Sequence, residues 1–208
     1  MGRFFLAVFF IMHLFVSLWI FGCAAGRSSE VNFYTLAPVQ GNPQERTLPD
    51  GLAIAVGPVT IPAALDRSQI VTRDGANKIG LSEYHRWAGP LQGDIAAVLT
   101  DNISALLKSE RVTPYTRENL FEPTHRIIVD ITRFDGRLGE EVTLDAFWSI
   151  KAANTGGPVL VRRSVIRETA LSAGYDGFVA AQSKTLATLS AEIADAISNL
   201  PDNAGSKK

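Results

Sequence analysis

The chain has 208 residues, 46% hydrophobic and 20% charged, with 20 Lys and Arg against 21 Asp and Glu and a formal charge of -1. That length suits one domain with at most an appendage, and the hydrophobic share excludes a disordered chain. The near-even charge supplies no basic footprint, so nucleic acid is not an expected partner.

The amino terminus reads as an address. Residues 4–21 are apolar except for His13 and Ser17, and Arg3 precedes them. The run is short for a membrane span of about 20 residues, and a positive start, an apolar core and a small residue are the layout of a secretory signal. Cys23, the one cysteine of the chain, sits at its end. Ile20-Phe21-Gly22-Cys23 resembles a bacterial lipobox, with Phe21 bulkier than is usual there. The resemblance implies a signal peptide over residues 1–22, a lipidated Cys23 and a tether over 23–30. It also implies S-diacylglycerol and an N-acyl chain on Cys23. Each buried methylene contributes about 0.8 kcal/mol, and lasting attachment takes more than one chain. Ala24 stands where an Asp would retain such a lipoprotein in the inner membrane, so the expected location is the outer membrane, facing the periplasm of a Gram-negative cell.

Residues 31–200 form the expected domain, followed by a polar tail over 201–208. Residues 31–36 are rich in strand formers. Residues 52–61 are apolar but interrupted by Gly57-Pro58, so this strand should bend or run along an edge. A first helix starts near Gly89-Pro90, and Leu91, Ile95, Val98, Leu99, Leu106 and Leu107 form its stripe. Residues 126–134 read as a strand. In residues 142–151 the alternation is plain: Val142, Leu144, Ala146, Trp148 and Ile150 share one face, with Thr143, Asp145, Ser149 and Lys151 opposite. Asn154-Thr155-Gly156-Gly157 turns the chain into a hairpin partner over 159–169. A second helix spans about 176–199, with Val179, Leu186, Leu189, Ile193 and Ile197 on one side. The expected architecture is α+β in two layers, a mostly antiparallel or mixed sheet covered by two amphipathic helices.

Few residues suggest chemistry. Two histidines, His85 and His125, follow the signal, too far apart in sequence for a zinc motif. No catalytic residue, metal ligand or cofactor is expected beyond the covalent lipid. Asp130 and Asp145 could meet across strands as a carboxylate pair, but they read better as residues on solvated strand faces. Ser172, Tyr175 and Asp176 read as a loop and helix cap. Arg162 and Arg163 are adjacent on a strand and must point to opposite faces. The segment Gly80-Leu81-Ser82-Glu83-Tyr84-His85-Arg86-Trp87 is dense in aromatic and cationic side chains. Tyr84, Arg86 and Trp87 are the residue types that dominate binding hot spots, while Trp87 equally reads as a core plug ahead of the first helix.

Several ordered blocks carry a resemblance across nearly all of the mature chain. They are Phe33-Tyr34-Thr35-Leu36, Val56-Gly57-Pro58-Val59 with Ile61-Pro62, Leu65-Asp66-Arg67, Gln69-Ile70-Val71, Tyr84 with Arg86-Trp87 and Pro90-Leu91, and Leu144, Ala146 and Trp148. Together they resemble the PqiC/YmbA-type family, the ABC-type transport auxiliary lipoproteins. The resemblance implies a non-catalytic accessory role in lipid transport between the two membranes. The implied partners are a periplasm-spanning MCE-domain protein and its inner-membrane partner, with a homo-oligomeric ring as a further possibility. Arg67, Tyr84, Arg86 and Trp87 are the candidate partner interface. A lipid-binding carrier is the alternative, and it would need an apolar cavity of several hundred Å³.

Overall fold

In the computed structural model the described residues are Gly2, 30–38, 46–116, 121–153 and 158–200. Apart from Gly2 and Glu30, the signal segment, Cys23 and the tether lie outside them, as do the turn at 154–157 and the tail at 201–208. Residues 1–30 and 31–208 separate into two units, and the fold described below belongs to the second.

Its centre is an antiparallel meander of three long strands, β6 (His125–Gly136), β7 (Glu141–Ala152) and β8 (Pro158–Thr169). The alternation read in residues 142–151 is what the fold uses: Val142, Leu144, Ala146, Trp148 and Ile150 are all buried. Ile127, Val129 and Ile131 of β6 and Ile166 of β8 extend the same layer. β2 (Ile54–Thr60) adds to β6 in parallel, and the short β5 (Val112–Pro114) adds to β2, also in parallel. A parallel pair needs a crossover. Here it runs through helix α1 (Leu91–Leu107), which packs over β2 and β5. Helix α2 (Tyr175–Ser198) follows β8 and returns over β6, β7 and β8, touching α1. The apolar stripes expected on both helices are buried.

The expected break at Gly57-Pro58 appears as a register shift between Val56 and Val59. β5 accompanies β2 as far as Val56, so Pro58, which has no N–H to give, stands where no neighbour on that side needs one. The Gln92 amide of α1 donates to the Val59 carbonyl at 2.7 Å and ties the bent end to the helix.

Two features differ from the single-sheet expectation. The crossover between β2 and α1 carries an insertion, β3 (Gln69–Arg73) and β4 (Ile79–Trp87), and β1 (Asn32–Tyr34) pairs with β4 in parallel. This makes a second, three-stranded sheet in the order β1-β4-β3. The cause is β4 itself, which offers edges to both β1 and β3 and so cannot join the larger sheet. The second difference is Thr143, expected on the solvated face but buried. Its register partner Asp135 is buried too, because the turn between β3 and β4 folds over that end of the larger sheet.

Candidate functional site

The small sheet carries most of the residues singled out from the sequence. Phe33 of β1, Arg86 of β4 and Gln69 of β3 are register partners and share one face. Phe33 is 66% exposed and Tyr84 45% exposed, both large apolar rings open to solvent. Arg86 is half-buried, with Nε–H donating to the Glu83 carbonyl at 3.1 Å. Arg67 is exposed in the loop before β3, next to Ser68, whose carbonyl accepts the Trp87 N–H at 2.7 Å. Arg67, Phe33 and Arg86 therefore gather at one end of this sheet.

Trp87 does not join them. It is 4% exposed and packs in the core with Leu91 and the buried residues of β3, which fits the core-plug reading. Its register partner Tyr34 faces the same way, and the Tyr34 hydroxyl is 2.8 Å from His85 Nδ1. The His85 ring stacks on Tyr175 at 4.0 Å between centroids. Burial, then the charge of Asp176, raise the Tyr34 phenol above its ordinary value. These rings seat the small sheet on the start of α2.

Polar links complete the attachment. The Thr35 hydroxyl and the Leu36 N–H both donate to the Asp94 carboxylate in the first turn of α1, at 3.0 and 2.7 Å. The Ala37 N–H donates to Ser183 of α2 at 3.2 Å. On the other side, Arg73 of β3 donates to both oxygens of Asp135 through Nε at 3.0 Å and through a terminal nitrogen at 2.6 Å. Arg133 donates to the same carboxylate at 2.7 Å. Burial pushes the Asp135 carboxyl up, but hydrogen bonds and charge from the two arginines outweigh it and hold it below the usual range.

The possible acid–base pair does not form. Asp130 stands opposite Phe147 and is hydrogen-bonded by Thr60, whereas Asp145 stands opposite Arg133. Arg163 clasps Asp145 with two bonds of 2.9 and 2.7 Å and lowers its carboxyl. Asp176 lies in the first turn of α2, where a negative charge suits the helix dipole, although the cap is Gly174 and not Ser172. His125 is buried beside Thr124, and burial lowers its imidazole. Among the described residues no group of three or more His, Cys, Asp and Glu side chains could hold a metal ion, and no helix is long and apolar enough to cross a membrane.

A second exposed region went unread in the sequence. On the face of the larger sheet away from the helices, Phe147, Val159, Val161 and Val165 are exposed. The signal was present: Phe147 occupies a polar-face position of β7, and the three valines fall on alternate positions of β8 with Arg163 at the one between Val161 and Val165.

A sequence model of the ABC-type transport auxiliary lipoprotein component matches residues 34–194. The chain is 26% identical over 185 residues to the intermembrane transport lipoprotein PqiC of Escherichia coli K12, covering 89% of this chain and 95% of that one. The PqiC of Shigella flexneri matches to the same extent. Among solved structures, an uncharacterized protein superposes with a TM-score of 0.67 at 21% identity, over 81% of this chain and 99% of the other. A protein from Xanthomonas campestris superposes at 0.59 and 14% identity, over 78% and 92%. These two likenesses concern the fold.

Proposed function

The chain belongs to the ABC-type transport auxiliary lipoprotein family, and from that premise we propose that it is a lipid-anchored, non-catalytic docking subunit of an intermembrane lipid transport system. Cys23 carries the diacylglyceryl and N-acyl chains. They hold the domain at the outer membrane, facing the periplasm. Its partner is a periplasm-spanning MCE-domain protein, itself attached to an inner-membrane subunit. A tether of a few residues confines the domain near the bilayer and raises the effective concentration of the docking surface. Tyr84 and Arg86 on the small sheet and Arg67 in the loop beside it form the proposed patch, to which we add the exposed Phe33 of β1.

The observation that carries this reading is the likeness to PqiC along 89% of the chain. Packing favours docking over lipid carriage. The apolar faces of α1 and α2 are spent against the larger sheet. A hollow of about 380 Å³ is lined largely by charged groups, among them Arg73, Arg133, Arg137 and Glu140, which suits no acyl chain.

The test is a mass-spectrometric census of proteins crosslinked to the natively expressed chain in intact envelopes, with the mass of its amino-terminal peptide read in the same run. The expected result is an acylated Cys23 and an MCE-domain partner, with Cys23→Ala leaving an unprocessed precursor. Acylation without that partner refutes the docking role, and an unmodified Cys23 on an uncleaved chain refutes the anchor.

A further inference from the structure

β8 is a 12-residue strand at the edge of the larger sheet, and β7 is its one strand neighbour among the described residues. Edges of this length are usually shortened, covered or blunted, because alternate residues direct N–H and C=O groups outward. Here Pro158 is confined to the first position, so the rest of the edge keeps its donors. The apolar side chains are arranged to match. Val161 is 60% exposed and Val165 51%, on the face away from the helices. On the helix side of the same edge lies Arg162, exposed, its guanidinium 5.8 Å from the Trp148 ring centre and with no ion-pair partner among the described residues. A hollow of about 220 Å³ beside it is lined by Leu160, Ala196 and Leu200, and by Asp195, which is itself bound to Arg46.

The charges decide between occupants. β8 holds Arg162, Arg163 and Arg167 against Glu168. Arg163 is taken up by Asp145 and Arg167 by Glu141 of β7, which leaves Arg162 as its cation without an ion pair among the described residues. In a second copy added antiparallel with faces matched, the registers nearest the midpoint set Arg162 opposite Ser164 or Ile166, so the added strand brings it no carboxylate. An acidic strand supplies one. We infer that the β8 edge is a docking site for an extended, acidic segment of a protein partner, which adds to the larger sheet as a further strand. Opposite Val161 to Val165 in order, that segment carries an apolar residue, an Asp or Glu facing Arg162, any residue, a small residue, and a second apolar one. Backbone bonds supply the grip and the alternating side chains the selectivity, as in other strand additions. The inference rests on the docking reading and adds to it a second surface, on a different sheet from the Arg67, Tyr84 and Arg86 patch.

The test places a photo-crosslinking amino acid at Val161, and separately at Tyr84, in the full-length chain within intact envelopes, and maps the crosslinked peptides. The expected product at Val161 is a peptide of another protein with the apolar–acidic pattern above. Its yield should fall about tenfold in Arg162→Glu, as removal of an interfacial charge pair does, while the melting temperature stays unchanged. Arg162→Lys should retain most of the yield. A partner captured at Tyr84 with none at Val161 overturns the β8 site and leaves the docking reading intact. Capture at neither position overturns both. A crosslink at Val161 to a second copy of this chain, or to lipid alone, also overturns it, as does a yield indifferent to Arg162→Glu.

Discussion

The two sheets solve the same problem with different means. The larger one buries a continuous apolar layer from β2, β6, β7 and β8 under two helices, so its register follows largely from alternation, with shifts at Gly57-Pro58, between Ile131 and Arg133 and between Ile150 and Lys151. The small one has three short or interrupted strands, and much of its apolar surface, Phe33, Ile79, Leu81 and Tyr84, is open to solvent. It is held by the buried Ile70, Val71 and Trp87 and by discrete polar clasps, Arg73 on Asp135 and residues 35–36 on Asp94, with Tyr34 bonded to His85 inside the sheet. A sheet held this way can be loosened one contact at a time. One held by packing fails as a unit. For the docking role proposed above the division is useful, since the packed sheet fixes the shape and offers the β8 edge while the clasped one presents side chains.

The contrast breaks most severely if the packed region turns out tolerant. Trp148 is 1% exposed, and its Nε1–H donates to Ser164 at 2.9 Å. Trp148→Ala should therefore cost about 3–5 kcal/mol in chemical denaturation and unfold both sheets together. Asp135→Asn sharpens the comparison at the clasp. The loss should be about 2 kcal/mol, less than for a fully buried pair because Arg73 and Arg133 keep contact with water. Because the folded carboxyl lies below its ordinary 3.8, the contribution is present above that value and lost as pH falls through the folded one. Wild-type and variant stabilities should begin to converge below about pH 4 and meet once pH has fallen below the folded value. Tyr34→Phe removes one hydrogen bond and should cost about 1 kcal/mol, seen as faster hydrogen exchange in β1 and β4 with β7 unaffected. Arg86→Ala should change stability by less than about 0.5 kcal/mol yet reduce partner capture in envelopes. An equal fall in stability would make Arg86 a structural residue.

The packed region was legible because its information is local. Alternation in residues 142–151, the stripes of α1 and α2, and the interruption at Gly57-Pro58 each identify an element from its own neighbours in sequence. The small sheet was not, for physical reasons that its residues display. β1 pairs in parallel with β4 some 50 positions later, as Asn32 with His85, and no local pattern encodes such a pairing. β3 and β5 are five and three residues long, too short to show a period. In β4 the register shifts between Leu81 and Arg86, where the His85 N–H turns to the Ser82 hydroxyl, so alternation is lost within the strand. Arg73 and Asp135 are 62 residues apart, and neither looks special until the fold brings them together. Tyr84 and Arg86 stand out by residue type, as does Arg67, and only the structure puts the loop of Arg67 beside the strand that carries the other two. The β8 edge does not show in the sequence because Arg162 and Arg163 read only as neighbours on opposite faces of a strand, and the valines around them as ordinary strand formers.

The most direct test of the account is binding between purified partners. The full-length chain purified from membranes in detergent, titrated with an MCE-domain subunit from the same cell, should form a complex of defined mass in light scattering. That complex should weaken when Arg86 or Arg162 is replaced by glutamate, while Lys184→Glu on the exposed side of α2 leaves it unchanged. A chain that stays uncomplexed at every concentration, or a complex indifferent to both replacements, would contradict it.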